Sequence, residues 1–428
     1  MLQNICETME KNSNNFVCPD YKKNCISNIP QLVSHALNAT KKSHKESFEE
    51  KIEETDYEEA NSVVLVVIDG FGFNQFLKYY RKNKFLSKLA DQGDAFPLTS
   101  TFPSQTTNAL TTLNTGLTPQ EHGLFEYFIY LKNIGIVNTL SFERTGNKQN
   151  NLNKEDPKPN ILLSKGKTIH TKLKEKGINS FTHINAYNAA NACSKLIFQG
   201  STIVPGLKLS DTIVGLRKNI EKNRDQKSYF FVHLDSIDTI AHEYGPESYE
   251  TQVELSLITH LLNKELVQKI DKKTAKKTLL FVTADHGGLS VNPKQTTYLN
   301  FSNYTVPNLQ TEENLTPISP TGSLREVFLH IKEEKIQETK QLLEKKLGSK
   351  AQILETKEAA KNGFFGIGAT SEEFFERTGN LMILPFENET VWFENSEGRR
   401  VNFLGQHGGL NEQEMLVPFA AANLCSLK

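Results

Sequence analysis

"SVVLVVIDG", residues 62–70, decides how this chain folds. A strand with one wet face alternates apolar and polar residues, whereas the unbroken run from Val63 to Ile68 fits a parallel strand buried on both faces. The pattern recurs in "SYFFVHLDSID" at 228–238 and "TLLFVTADHGG" at 278–288. Each run ends at once in an acid, or in an acid beside a histidine. Helix-length segments such as "TIHTKLKEK" at 168–176, closed by Gly177, lie between them, so strand and helix alternate. Open parallel sheets bind ligands beyond the carboxyl ends of their strands, where all three polar clusters stand.

Working outward, a chain of 428 residues fits one large α/β domain carrying an insertion, or two domains. After the third run the pattern changes. "VFLHI" at 327–331 and "AQILE" at 351–355 read as strands around a helix over 334–347, which has Ile336, Leu343 and Leu347 on one face and Gly348 as its stop. This predicts a small α+β cap inserted over 310–397, with the catalytic domain formed by 1–309 and 398–428. Upstream, Ile29, Leu32, Val33, Ala36 and Leu37 share one face of a helix that starts near Pro30 and is expected to pack on the main domain. The charged segment 39–62 is expected to be a solvated helix or linker.

Lysine plus arginine (49) balance aspartate plus glutamate (50), so charge gives no argument for a nucleic-acid polymer or an anionic membrane as partner. The five cysteines, Cys6, Cys18, Cys25, Cys193 and Cys425, form no C-x-x-C pair and are odd in number. That speaks against a thiolate zinc site and a secreted disulfide framework. No segment has signal-peptide character or the run of about 18 apolar residues that a membrane span needs. The expectation is a cytoplasmic protein acting on a small molecule.

The chemistry gathers at the strand ends. Asp69 closes the first run; Asp238 and His242 are four apart, on one face of a helix that Asp235 is expected to cap; Asp285 and His286 share a tight glycine-rich turn. His407 lies in another glycine-bracketed turn, "GQHGG". Three carboxylates and three imidazoles make the oxygen and nitrogen inventory of a two-zinc site, which would suit phosphoryl transfer. His122, His233 and His330 read as structural histidines.

Taken in order, "VIDGFG", the block "TGLTPQEHG", "DSIDTIAHEYGP", "TADHGG" and "GQHGG" resemble the alkaline phosphatase superfamily, and within it the type I phosphodiesterase/nucleotide pyrophosphatase family. The resemblance spans about 63–419 and implies an α/β fold, a mostly parallel sheet flanked by helices. It implies Asp238, His242 and His407 around one divalent metal, with Asp69, Asp285, His286 and a threonine nucleophile around the other; zinc is expected, with manganese as alternative. The residues 99–123 offer eight threonines and two serines. The family's spacing, nine positions before the threonine of "TG" and three after the proline of an aromatic-proline pair, selects Thr106 over Thr101 and Thr107. Ser104 is then expected as the cap of the nucleophile helix.

Between Lys88 and Lys132 the chain has no lysine or arginine. Monoesterases of the superfamily hold the second phosphate charge with a guanidinium, so this favours a phosphodiester or nucleotide pyrophosphate bond. A phosphomonoesterase or phosphomutase is the alternative, and a non-catalytic binding protein on the same fold is the alternative of another class. Where the family has a phosphate-holding asparagine after "HG", this chain has Tyr127, whose phenol is able to donate the same bond. Phe125 and Phe128 beside it are expected either to stack on the substrate or to pack in the core.

Overall fold

The computed structural model describes residues 16–40, 60–144, 166–299, 308–312, 316–393 and 400–428. The charged segment read over 39–62 lies mostly outside these residues. Eleven strands matter for the site: β1 (Ser62–Ile68), β2 (Asp94–Thr99), β3 (Asn179–Asn185), β4 (Thr202–Gly206), β5 (Ser228–Leu234), β6 (Thr278–Thr283), β7 (Thr321–Gly322), β8 (Val327–Leu329), β9 (Ala351–Glu355), β10 (Leu381–Pro385) and β11 (Leu416–Asn423). The helices that bear on it are α1 (Ile29–Ala36), α2 (Thr106–Thr115), α3 (Ala192–Ile197), α4 (Ser236–Tyr244) and α5 (Ile336–Leu347).

A seven-stranded sheet runs in the order β2-β11-β6-β1-β5-β3-β4. Only β11 is antiparallel to its neighbours. The three unbroken apolar runs, β1, β5 and β6, are adjacent at its centre and buried along their whole length. Their burial explains the missing alternation, since both faces of each strand are covered. Ile68 pairs with Leu234, and Val67 with both His233 and Thr283. Asp69, Asp235 and Asp285 are therefore brought to one edge by register alone.

The second sheet, β7-β8-β10-β9, is antiparallel and comes from residues 321–385. Its side chains alternate as pleating demands. Phe328, Leu354, Met382 and Leu384 join the main core, while Val327, Leu329, Ile353, Leu381 and Ile383 form a separate core with Leu343 and Leu347 of α5. The strand, helix and strand expected at 327–355 are all present. The face of α1 expected to be apolar, Ile29, Leu32, Val33, Ala36 and Leu37, is fully buried in the main core.

Candidate active site

The helix α2 starts at Thr106 and stops at Gly116, whose φ of +74° supplies the left-handed cap. Its amino cap is Gln105, not Ser104, and no side chain caps it. Ser104 is instead stitched to the turn around His407: its Oγ donates to Gly409 O at 2.9 Å and accepts from Gly408 N at 3.0 Å. The reason is that the 103–105 backbone runs alongside 407–409, so the serine meets those groups before it meets the helix. Thr106 reaches the strand ends, with Oγ1 3.1 Å from His286 Nε2. Thr101 is fully buried, and its hydroxyl finds no partner among the described residues. Thr107 lies beside the Thr139 hydroxyl at 3.5 Å.

All six expected ligands meet here. Asp69, Asp285 and His286 present ligand atoms within 4.8 Å of one another, and so do Asp238, His286 and His407. His286 stands between the two groups, its ring stacked on that of His407 at 3.7 Å. His242 completes the second group, 3.3 Å from Asp238 Oδ2 and 3.2 Å from His407 Nε2.

Hydrogen bonds set the tautomer of each histidine. Nδ1 of His242, His286 and His407 faces the carbonyl of Gly405, Gly287 and Ser104 at 2.8, 2.8 and 2.9 Å. A carbonyl only accepts, so each Nδ1 carries a proton and Nε2 is the nitrogen turned into the site, where the neutral form of the ring offers a lone pair. Two such lone pairs at 3.2 Å repel unless a cation or a shared proton lies between them. Asp69 Oδ1 and Asp285 Oδ2 are likewise buried, find no hydrogen-bond partner among the described residues, and lie 3.5 and 3.4 Å from His286 Nε2. The donor set fits divalent cations.

Electrostatics agree. Burial, then the charges of Asp285 and Asp238, push the Asp69 carboxyl well above the ordinary range. Burial also acts on Asp238, but the imidazoles of His407 and His242 outweigh it and hold that carboxyl low. Burial and the neighbouring His286 push His407 down to about 3, so its ring is neutral and free to coordinate at pH 7.

Two further residues depart from their expected places. Asp235 occupies the cap position of α4 but makes no capping bond; its backbone is helical there, and Oδ2 accepts from Asn188 Nδ2 at 2.8 Å. His233, expected to be a satisfied structural histidine, lies 3.0 Å from Asp69 Oδ2 without hydrogen-bond alignment and lines the cavity. Its signal was a lone polar residue in an apolar run, two positions before Asp235 and so on the same strand face. Phe125 is core, edge-on to Phe328 and Phe374, whereas Tyr127 and Phe128 line the cavity. His122 and His330 are structural, bonded to Thr112 Oγ1 and to the Glu376 carbonyl.

A layer of buried charge behind the site was not foreseen. Arg325 and Glu414, both fully buried, pair through two bonds of 3.0 Å, and Glu414 Oε1 also accepts from Gly409 N at 2.9 Å. Glu326 accepts from Gln105 Nε2 at 3.0 Å and packs so closely that a Cβ on Gly408 would lie 2.1 Å from its Oε2. Burial, then the neighbouring Glu126, pushes the Glu326 carboxyl well above its usual range. No pattern in the chain links these residues, because their partners stand 89 and 221 positions apart.

A cavity of 640 Å³ opens over Thr106, Asp69, Asp238, His242 and His407. A mostly parallel sheet with acids and histidines at its carboxyl edge, beside a helix-borne threonine, defines a hydrolase of the alkaline phosphatase superfamily. The chain belongs to the type I phosphodiesterase/nucleotide pyrophosphatase family, whose profile matches residues 63–410. It is a phosphodiesterase/pyrophosphatase-type hydrolase of a metal-dependent family.

Among solved structures, murine ectonucleotide pyrophosphatase/phosphodiesterase 5 superposes with a TM-score of 0.61 at 19% identity, covering 84% of this chain and 87% of that one. The human counterpart gives 0.60 at 16%, with 84% and 87% covered. Phosphonoacetate hydrolase from Sinorhizobium meliloti gives 0.54 at 15%, with 85% and 93% covered. These likenesses concern the fold. A search of curated proteins finds no significant match. Among the described residues no helix is long and apolar enough to cross a membrane.

Proposed function

We propose that this chain is a two-metal phosphodiesterase with Thr106 as nucleophile. One observation carries the reading: Nε2 atoms of three histidines, each oriented by a carbonyl at its Nδ1, converge beside the Thr106 hydroxyl with oxygens of Asp69 and Asp285 that find no hydrogen-bond partner among the described residues. Asp238, His242 and His407 would hold one cation, and Asp69, Asp285, His286 and Thr106 the other. The mixed nitrogen and oxygen donors suit zinc, with manganese as alternative. Bound there, the pair would polarise a phosphoryl oxygen and lower the pKa of the threonine hydroxyl.

Thr106 is the first residue of α2, where unpaired backbone N–H groups favour an incoming phosphate. Its Oγ1 attacks phosphorus, the bond to the leaving oxygen breaks in line, and a phosphothreonine remains. Water then attacks from the opposite side and releases Thr106. The Tyr127 phenol, at the cavity wall, would donate to a phosphate oxygen. One structure of the murine relative is described as an inactive threonine-to-alanine variant in complex with AMP, which supports a threonine nucleophile and a small nucleotide-like substrate.

Charge supports a diester over a monoester. Four positive charges from two divalent cations would face three carboxylates and an alkoxide, leaving the site near neutral. The cavity adds no compensation, since among its described lining residues there is no lysine or arginine. A diester carries one negative charge, whereas a monoester carries up to two. Residues 310–397 would act as the cap, and a reducing cytoplasmic location, testable by fractionation of the native cell, remains part of the proposal.

The test compares zinc-loaded parent, Thr106→Ala and Thr101→Ala on bis-p-nitrophenyl phosphate and p-nitrophenyl phosphate. The diester should be the faster substrate, and Thr106→Ala should lose on the order of 10⁴-fold or more in kcat, while Thr101→Ala keeps most activity. A monoester preferred by a wide margin refutes the diesterase reading, and a dead Thr101→Ala beside an active Thr106→Ala refutes the nucleophile.

A further inference from the structure

The helix Tyr249–Leu262, which follows α4 after Gly245 and Pro246, is apolar on opposite sides. Its inner side, with Leu255, Ile258 and Leu262, is buried in the main core, and Asn83 Nδ2 fixes it there by donating to Thr259 Oγ1 at 2.7 Å. Its outer side carries Tyr249, Val253 and Leu257, which are 75%, 48% and 47% exposed. Single apolar side chains at a surface are ordinary, but these three stand at i, i+4 and i+8 and so form one stripe about 12 Å long. Apolar residues on opposite sides of a helix are the pattern of one covered on both.

The chemistry beside the stripe selects what covers it. Within 249–262 there is no lysine or arginine, and Glu250 and Glu254 are the charged neighbours of the stripe. A helix seated on a bilayer carries cations on its polar side, so an anionic lipid surface is a poor match. The stripe instead complements itself. Tyr249 lies one turn before Val253 and Leu257 one turn after it, while the two ends differ in charge. The exposed Glu247 and Glu250 stand at one end, Glu247 also facing Lys78 at 3.2 Å, and the exposed His260 and Lys264 stand at the other. A second copy laid antiparallel across a two-fold axis at Val253 sets each Tyr249 on the other copy's Leu257 and turns each acidic end toward a basic one.

We propose that the chain forms an isologous dimer in which two copies of this helix pack antiparallel through Tyr249, Val253 and Leu257. The proposal goes beyond the diesterase reading and does not depend on it.

The test is sedimentation of the full chain between about 1 and about 200 µM, where a contact of one helix per copy should give a Kd on the order of 10 µM. Val253→Asp changes both copies at the axis and should weaken the dimer at least about 30-fold, while circular dichroism and bis-p-nitrophenyl phosphate turnover stay as in the parent. A short bismaleimide reads the register: Val253→Cys should join to itself, whereas Tyr249→Cys should join efficiently only when mixed with Leu257→Cys. The parent, with its five native cysteines, sets the background. Glu250→Lys and Lys264→Glu should each dimerise less well alone than as an equimolar mixture, in which opposite charges again face each other. A parent that stays monomeric at the highest concentration, or a dimer that survives Val253→Asp, overturns the proposal. A monomer captured by phosphatidylserine vesicles overturns it in favour of a bilayer. Self-joining of Tyr249→Cys as efficient as that of Val253→Cys overturns the antiparallel pairing.

Discussion

Two of the regions that bring ligands to the site are built in opposite ways. Asp69, Asp285 and His286 stand one to three residues beyond β1 and β6, so the central sheet sets their positions. His407 stands on a turn held from behind by Ser104, Glu326 and the buried Arg325–Glu414 pair. In the first region, like charges and orphaned oxygens are pressed together, a strained arrangement that serves chemistry. In the second, Arg325 and Glu414 are matched charge for charge, and Glu326, although beside Glu126, is held by hydrogen bonds from Gln105 and Ser323. The contrast teaches that the sheet edge gives up stability for function, while the turn depends on a polar network for its shape.

The largest effect expected is at the sheet edge. Asp69→Asn should lower kcat/KM about 10³-fold, the several kcal/mol that a coordinated cation supplies. It should nonetheless leave the metal-free protein as stable as the parent or more so, because burial and the charges of Asp285 and Asp238 oppose ionisation there. Urea unfolding in chelator reads the second outcome, and a clear loss of stability would break the contrast.

At the turn the signs reverse. Glu414→Gln leaves the Arg325 guanidinium buried without its charge partner, which should cost about 3–5 kcal/mol in urea unfolding. Metal titration should show the His407 group weakened about 10–100-fold, the range for lost supporting interactions. A variant as stable as the parent would mean that the network does not hold the turn.

The smallest effect concerns Glu326. Its folded-state pKa is raised, so between the ordinary carboxylate value near 4.3 and the raised one the native state binds more protons than the unfolded chain. That contribution is present at low pH and is lost as pH rises. The parent should therefore lose stability relative to Glu326→Gln as pH rises above the ordinary carboxylate range. At pH 5 the change should stay under about 1 kcal/mol, since an amide keeps the hydrogen-bonding shape of a neutral carboxyl. Unchanged pH dependence would sink the assignment.

Legibility followed the same division. The three central strands and the acids ending them were readable because burial on both faces leaves an unbroken apolar run, and because a strand end and its next residue are neighbours in the chain. The six ligands carry local marks: Asp69 closes a strand before Gly70, Asp285 and His286 are adjacent, His407 lies among glycines, and Asp238 and His242 are about one helical turn apart. Ser104 and Asp235 were misread because capping was judged from position alone, while stronger partners, the 407–409 backbone and Asn188, came from distant segments. His233 was passed over because its partner, Asp69, lies on the neighbouring strand.

By itself, then, the sequence determined which residue types stand at the ends of buried strands, and with them the class of chemistry. Only the tertiary structure decided which nitrogen of each histidine faces inward, how close Thr106 comes to the ligands, and that the cavity has no lysine or arginine among its described lining residues. The physical reason is range. Burial and periodicity act along a segment and leave their mark on neighbouring residues, whereas a hydrogen bond or a cavity wall joins residues whose separation in the chain carries no signal.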